Sequence, residues 1–174
     1  MEALIRLATE AEIPEIGRLF SKVYTNEHFD KFTPDKSIEY IDWLFRRCPE
    51  LAFVAVQGER IVGAKLAATK PFFDGLHMVD SEIFVDPDYR RQGIGLNLTK
   101  KSFETAKEMG VTVVDSATFI QDESENPKWS IKHEYTNLEW HKKNGFHRET
   151  QMVLMYGNID ELIDKTTQHL QQSH

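Results

Sequence analysis

Hydrophobic positions recur along the chain with two periods, one of about 3.6 residues that is typical of helices and one of about 2 that is typical of strands. Thr9 and Glu12 form a capping-box pattern ahead of an apolar helical face, which predicts a first helix. Thr33 followed by Pro34 predicts the start of a second helix. The other predicted elements are strands 4–8, 51–56, 61–69, 77–85 and 111–117, a break at 71–75, and helices 95–109, 134–143 and 158–171.

The order of these elements predicts a mixed sheet. Segments 51–56 and 61–69 are joined by a short turn at Gly58, which favours an antiparallel hairpin. The strand-helix-strand unit over 77–117 requires a parallel pair with a right-handed crossover. One or two closing strands are predicted over 146–156. We therefore predict an α/β (α+β) fold with a mixed, mostly antiparallel central sheet of about six to seven strands flanked by helices.

Composition and charge narrow the classes of function. The chain has 174 residues, of which 40% are hydrophobic and 28% charged, as in an ordinary globular domain. We predict one domain over 1–174, with helix 158–171 appended. The net charge of −7 argues against nucleic acid as a partner, because such binding depends on neutralising phosphates. The same charge attracts cations such as protonated amines, or it only keeps the protein soluble.

Membrane and metal chemistry are not predicted. The apolar runs are too short to span a bilayer and no secretory signal is visible, so we expect no membrane partner and a cytoplasmic location. Cys48 is the only cysteine, which excludes an internal disulfide. The seven histidines show no His-Glu-x-x-His pattern, and we predict no metal. The sequence does not decide between a monomer and a homodimer.

The segment 85–95 has the features of a pyrophosphate site. A strand ends near Val85, and three residues with donor groups, Arg90, Arg91 and Gln92, follow a turn. Gly93 and Gly95 let the backbone approach a ligand closely, because neither residue has a Cβ. A helix begins at the same point, so its unpaired N–H groups and the positive end of its dipole face an anion there. The alternative is a helix-start turn that binds nothing.

Two other nucleotide motifs fit this segment poorly. A P-loop places Gly-Lys-Ser/Thr at the helix start, whereas Lys100, Lys101 and Ser102 come later and lack the preceding glycine. The dinucleotide fingerprint requires a small residue at the position of Leu98. Asp115 does lie about 20 residues beyond the glycines, as a ribose-binding acid does. The paired arginines and the preceding hairpin argue against that fold.

The segment resembles the coenzyme A site of the GNAT superfamily of N-acyltransferases, which carries Arg/Gln-x-x-Gly-x-Gly/Ala between its fourth strand and third helix. Arg90, Gly93 and Gly95 match that pattern. The Val-Asp-Pro lead-in at 85–87, the downstream Asn-Gly-Phe at 144–146 and the element order over nearly the whole chain are similar as well. The resemblance implies a GNAT-like fold and an acetyl-CoA-dependent N-acetyltransferase. A coenzyme A-binding module without catalysis is an alternative.

The resemblance also implies where the cofactor binds. One strand edge is expected to hydrogen-bond the pantetheine arm like an added strand, and the backbone after it is expected to bind the pyrophosphate. The amide of Asn137, at a position where the family has a small residue, is a further candidate. The implied edge residues are Ile83, Phe84 and Val85, and the implied pyrophosphate residues are Arg90, Arg91, Gln92, Gly93, Ile94, Gly95 and Leu96.

The resemblance places the general base at Glu82, three residues before the end of the fourth strand. Burial beside Ile83 and Phe84 is expected to raise the pKa of its carboxyl. Asp80, on the same face by strand alternation, is the second choice or a partner that binds the amine. The alternative for Glu82 is a charge on a solvated sheet face. His141 occupies the position of the tyrosine that protonates the leaving thiolate in the family, although an exposed histidine or water is an alternative there.

The acceptor is expected to bind loops rich in aromatic and acidic residues. We predict that Phe29, Phe32 and Trp129, with Asp80, contact a cation that carries apolar surface. Aromatic side chains that only cover the core are the alternative. A small primary amine, such as a polyamine, an aminoglycoside or an amino-acid derivative, is therefore the predicted acceptor. A protein acceptor, through its N-terminus or a lysine, is the alternative.

Overall fold

The computed structural model describes residues 2–24 and 32–116, together with Lys143 and Gly145. The chain divides into two compact units, Met1–Glu134 and Tyr135–His174, and all the elements below lie in the first. The elements predicted beyond residue 117 lie outside the described residues, and the single domain stays a prediction. Within the described part of the chain, no helix is long and apolar enough to cross a membrane.

Five strands form one sheet in the described residues, in the order β1-β2-β3-β4-β5. The pairs β1–β2, β2–β3 and β3–β4 are antiparallel, and β4–β5 is parallel with helix α3 as the connection. The mixed, mostly antiparallel sheet predicted from the sequence is confirmed. The strands are β1 Leu4–Leu7, β2 Ala52–Gln57, β3 Arg60–Phe72, β4 Gly75–Val85 and β5 Val111–Ser116, and the helices are α1 Ile13–Tyr24, α2 Pro34–Arg47 and α3 Ile94–Glu108.

The sheet is covered by helices on both faces, because successive strand residues face opposite ways. Helices α1 and α2 bury one apolar cluster against the sheet, which includes Phe20 of α1 and Leu66 of β3. Helix α3 buries the second cluster, which includes Leu98 and Met78. The start of α3 lies so close to β3 that a Cβ on Gly63 would be 3.3 Å from the Ile94 side chain. A residue without a side chain at this position lets α3 sit directly on the sheet.

The break predicted at 71–75 is wrong, because β3 continues through Pro71 to Phe72 and turns back at once into β4. Pro71 pairs with Leu76 in this extension. A proline is tolerated in a strand where its missing N–H faces no partner. The pairing of β2 with β3 reaches no further than Leu66, so the described residues place a neighbouring strand on only one side of Pro71. The hairpin therefore accommodates the proline without losing a hydrogen bond to β2.

A buried histidine joins β4 to its neighbours near the turn. The His77 ring nitrogens lie 3.0 Å from an Asp115 oxygen and 2.7 Å from an Asp74 oxygen. Lys70 contacts the same Asp115 carboxylate at 2.6 Å. Because a carboxylate only accepts hydrogen bonds, both ring nitrogens donate when the imidazole is protonated. The hydrogen bond to Asp115, followed by that to Asp74, outweighs burial and raises the pKa of His77 above 6.5.

This cluster predicts a pH-dependent part of the stability. A pKa that is raised in the folded state stabilises the protein fully below the unfolded pKa, near 6.5, and the contribution is lost as pH rises through the folded pKa. The melting temperature of the native protein should therefore exceed that of His77→Gln most at mildly acidic pH, and the difference should narrow as the imidazolium deprotonates. Thermal unfolding of both proteins from pH 5.5 to 9 checks this, and a difference that is independent of pH would contradict it.

Candidate active site

The second half of β4 carries Glu82 at an irregularity in the sheet. Glu82 pairs with Leu66 and Asp80 pairs with Ala67, so Ser81 is an additional residue between two consecutive partners. Such a bulge interrupts the alternation of side chains and re-aims those that follow it. The role of Asp80 stays a prediction. The Glu82 side chain is half-buried.

Two tyrosines donate hydrogen bonds to the Glu82 carboxylate. The Tyr40 hydroxyl, from the middle of α2, lies 2.8 Å from Oε1, and the Tyr24 hydroxyl, from the last residue of α1, lies 3.2 Å from Oε2. Burial, and after it the negative charge of Glu82, raises the pKa of both phenols above the ordinary value of 10.0. Both hydroxyls therefore remain protonated and act as donors. Sequence reasoning missed both residues, because nothing in the spacing of three distant segments shows that they meet.

The edge of β4 beyond Asp80 has no partner strand among the described residues. The parallel pairing with β5 runs from Leu76 opposite Val111 to Asp80 opposite Ser116. On the other side, β3 pairs with β4 through to Val85. Residues 81–85 lie beyond the described part of the β4–β5 pairing, on the strand that β3 borders from the other side. This is the edge that the sequence analysis assigned to Ile83, Phe84 and Val85.

The turn after β4 delivers a helix N-terminus beside that edge. Arg91 and Gly93 have positive φ values of 62° and 78°, and α3 begins directly afterwards. The Asn97 N–H donates to the Gly93 carbonyl at 3.0 Å, so the N–H groups of the intervening residues have no acceptor within the helix. A Cβ on Gly95 would lie 3.8 Å from the Val85 side chain, which places the first turn of α3 next to the end of β4.

The predicted phosphate-binding side chains differ in exposure. The Arg90 side chain is exposed, and its Nε donates to the Val85 carbonyl at 3.3 Å. Arg91, Gln92 and Leu96 are exposed as well, whereas Ile94 is buried against the sheet. Ile94 can therefore offer a ligand only its backbone. No acidic residue lies in the first turn of α3, which leaves the positive end of the helix dipole uncompensated there.

A lysine on α1 holds the start of this turn. Lys22 Nζ contacts the two Asp86 carboxylate oxygens at 2.7 and 2.9 Å and Asp88 at 3.2 Å. Burial tends to raise the pKa of Asp86, but the hydrogen bonds from Lys22 and from the Asp88 N–H outweigh it, and the pKa is lowered. The ion pair fixes the buried Asp86, which directly follows β4, and it offsets two negative charges next to a proposed anion site. Sequence reasoning did not identify Lys22.

The remaining predicted residues fall partly within the described chain. Phe32 packs edge-on against Phe20 with ring centroids 5.2 Å apart, and its ring is 6.3 Å from that of Tyr24. It therefore belongs to the aromatic cluster that surrounds the two tyrosines, where it can pack and also border an acceptor. Four predicted residues lie outside the described residues, namely Phe29, Trp129, Asn137 and His141.

Other features of the described residues do not add to this site. A cavity of about 300 Å³ lies beside the start of α3, and its lining, which does not include Glu82, is Glu2, Ala3, Ile5, Gln92, Ile94 and Asn97. Cys48 is buried, and burial raises the pKa of its thiol, which disfavours a nucleophilic thiolate. Within residues 2–24 and 32–116, no group of three His, Cys, Asp or Glu side chains is arranged to hold a metal ion.

Known proteins share this sequence pattern and this fold. The sequence model of the acetyltransferase (GNAT) family matches residues 13–126. Human N-alpha-acetyltransferase 30 is 29% identical over 162 residues, which cover 91% of this chain and 39% of the human protein. The chain thus spans about two fifths of the length of that curated relative.

Two solved structures illustrate the fold. The aminoglycoside acetyltransferase AAC(6')-Iy, in complex with the bisubstrate analogue CoA-S-monomethyl-acetylneamine, superposes with a TM-score of 0.64 at 15% identity, over 91% of this chain and 99% of that chain. An aminoglycoside acetyltransferase from an uncultured soil metagenomic sample, in complex with sisomicin, has a TM-score of 0.63 at 21% identity, over 90% and 96% of the two chains. At these identities the likeness establishes the fold.

Proposed function

The chain belongs to the acetyltransferase (GNAT) family, and on that premise we propose that it transfers an acetyl group from acetyl-CoA to a primary amine, with Glu82 as the general base. One observation carries the proposal. The last five residues of β4 carry a carboxylate held by two hydroxyl donors, and the turn directly after them delivers the N-terminus of α3. A base for the acceptor and an anion site for the cofactor thus lie next to each other in the chain.

The residues around this edge fit coenzyme A. In this proposal the side of 81–85 that faces away from β3 takes the amides of a pantetheine arm. The first turn of α3 offers N–H groups without helical acceptors and contains no acid, which suits a pyrophosphate. The exposed guanidinium groups of Arg90 and Arg91 add positive charge. A relative of the same fold has been solved with a bisubstrate analogue of coenzyme A, which supports the same cosubstrate here.

In the proposed mechanism, Glu82 makes the acceptor nucleophilic. A protonated amine has no lone pair to attack with, so the carboxylate takes one proton from it and later releases that proton to solvent. Acetyl-CoA supplies a thioester, and its C–S bond breaks as the new C–N bond forms, the sulfur leaving with the electron pair and then taking up a proton. The amide nitrogen gives up the remaining excess proton, so that charge and atoms balance. The family position for a thiolate acid is His141, which lies outside the described residues, and its role stays a prediction.

For the acceptor, we favour a small cationic amine. The net charge of −7 and the aromatic cluster beside Glu82 suit a cation with apolar surface. Two structures of the same fold are aminoglycoside acetyltransferases, which supports this class. The second candidate is the α-amino group of a peptide. It is favoured by the 29% identity to a human N-alpha-acetyltransferase over 91% of this chain.

Replacing Gly93 tests the cofactor site against a matched control. Gly93 and Gly58 both have positive φ, 78° and 64°, and a Cβ on either would meet no atom within 4 Å. Gly93→Leu and Gly58→Leu should therefore each lose about 1–2 kcal/mol of stability through backbone strain. Only Gly93→Leu should weaken acetyl-CoA binding, by more than about tenfold, because its side chain projects into the proposed phosphate path. Calorimetric titration measures this, and equal affinity in the two variants would contradict the assignment.

Replacing Glu82 tests the base. Glu82→Gln keeps the size of the side chain but cannot accept a proton, so turnover should fall about 10²–10⁴-fold, the range of general-base effects. Affinity for acetyl-CoA should stay within about twofold, since the pyrophosphate site is on the following turn. Thiol release and calorimetry report the two quantities. Full activity across pH would remove Glu82 from the mechanism, and a lost affinity would show a structural defect.

A screen of acceptors tests the substrate class. Cationic small amines, neutral amines, anionic amines and peptides with free α-amino groups are offered at equal concentration with acetyl-CoA, and released thiol is measured. We expect the cationic small amines to give the highest kcat/KM, because the acidic protein attracts them. Turnover of peptides alone would replace this acceptor class with the second candidate. A preference for anionic or neutral acceptors would refute the electrostatic argument.

A further inference from the structure

The hydroxyls that meet at Glu82 come from two helices. Tyr24 ends α1, Tyr40 lies in the middle of α2, and each donates to a different oxygen of the same carboxylate, at 3.2 and 2.8 Å. A single donor would leave the carboxylate free to rotate about its last torsion angle, whereas two donors on opposite oxygens define its plane. Glu82 is thus oriented by groups that are remote from it in the sequence.

The two phenol rings are themselves fixed by packing. Phe20 lies between them, with its ring centroid 4.5 Å from that of Tyr24 and 5.4 Å from that of Tyr40. Phe84, two residues after Glu82 on β4, packs against the same Phe20 ring at 5.3 Å. Phe20 is buried in the cluster under α1 and α2. A buried core ring therefore packs against both donors.

From this geometry we propose that Tyr24 and Tyr40 are positioning residues, which orient the Glu82 carboxylate and favour its ionised form so that it accepts the proton of the acceptor amine. The assignment rests on the proposed function of Glu82 as the base. A hydroxyl that donates to a carboxylate stabilises the charged form more than the neutral acid. Two such donors counteract the cost of burying the charge, which a half-buried strand position would otherwise impose.

Other charges act on the same pair of tyrosines. Arg90 lowers the pKa of Tyr24 and Arg47 lowers that of Tyr40, but burial and Glu82 exceed both effects. Asp80 is a further titratable residue on β4, two positions before Glu82. Since both arginines and Trp43, on which Arg47 packs at 4.7 Å, are kept in the two phenylalanine variants below, the effect of a removed hydroxyl can be separated from theirs. The phenols keep their protons over the working pH range, so they do not contribute titrations of their own.

The test measures the titration of Glu82 itself, with ¹³C-labelled glutamate in the full-length protein. The Glu82 carboxyl resonance is assigned by its loss in Glu82→Gln. Tyr24→Phe and Tyr40→Phe each remove one hydroxyl and keep the ring, and each should raise the midpoint of the Glu82 titration by about one pH unit. The double variant should shift further than either single variant. An unchanged midpoint in both single variants would overturn the proposal.

A matched control separates the hydroxyls from ring packing. Trp43 stacks on the Tyr40 ring at 6.1 Å and is 54% exposed, and no hydrogen bond joins it to Glu82 among the described residues. Trp43→Leu should leave the Glu82 midpoint within a few tenths of a unit, because both hydroxyls remain. A shift as large as that of Tyr40→Phe would assign the effect to packing and overturn the proposal.

Kinetics distinguish this proposal from the function on which it rests. If Glu82→Gln is inactive, the fall of kcat at acidic pH should occur at a higher pH in the two phenylalanine variants than in the native protein. Above that pH, the activity of both variants should recover. A uniform loss at every pH, with the acidic fall of kcat at an unchanged pH, would overturn the positioning role and leave Glu82 as the base. A fully active Glu82→Gln would instead refute the proposed base, and the positioning role with it, even if the titration midpoint shifts.

Discussion

The hydrogen-bond ladder between β3 and β4, which runs from the turn at Gly75 to Val85, determines where the candidate site lies. The bulge at Ser81 interrupts this ladder one residue before Glu82 and re-aims the side chains that follow it. The strand ends at Val85, and the turn after it delivers the N-terminus of α3 beside its last residues. The positions of Glu82 and of the first turn of α3 both depend on this ladder.

Helix α1 connects the two halves of the proposed site. Its last turn contacts the Glu82 side chain of β4 through the Tyr24 hydroxyl, and it contacts Asp86, directly after β4, through the Lys22 ammonium. The first contact holds the carboxylate proposed as the base, and the second offsets the charge of the buried Asp86 carboxylate beside the proposed anion site. Because Lys22 offsets charge on Asp86 and Asp88, the exposed arginines and the helix N-terminus can act on an anion at the end of this strand even in an acidic chain.

The sequence predicted well those parts of the molecule that depend on local signals. A glycine at a turn, a proline after a strand and apolar periodicity can each be recognised within a few residues of sequence. These signals predicted the turn at Gly93, helix α3 and strand β4. The break predicted at Pro71 was wrong because a strand tolerates a proline where no neighbouring strand needs its N–H. Whether that is so depends on where β2 ends, which is a property of the sheet. Tyr24, Tyr40 and Lys22 were missed for a similar reason: each acts on β4 from a distance of more than 40 residues along the chain. Their partners are defined only when α1 and α2 pack on the sheet.

The central claim is that the edge of β4 over 81–85 and the first turn of α3 together bind acetyl-CoA, and residue-resolved amide hydrogen exchange tests it most directly. The amides of 81–85 and 94–96 should gain protection when the cofactor is added. An amide that donates a hydrogen bond to a carbonyl or phosphate oxygen of the cofactor, or that the cofactor shields from water, exchanges more slowly. The amides of β1, a strand on the opposite edge of the described sheet, should not change. Protection confined to other segments, or none at millimolar acetyl-CoA, would contradict the account.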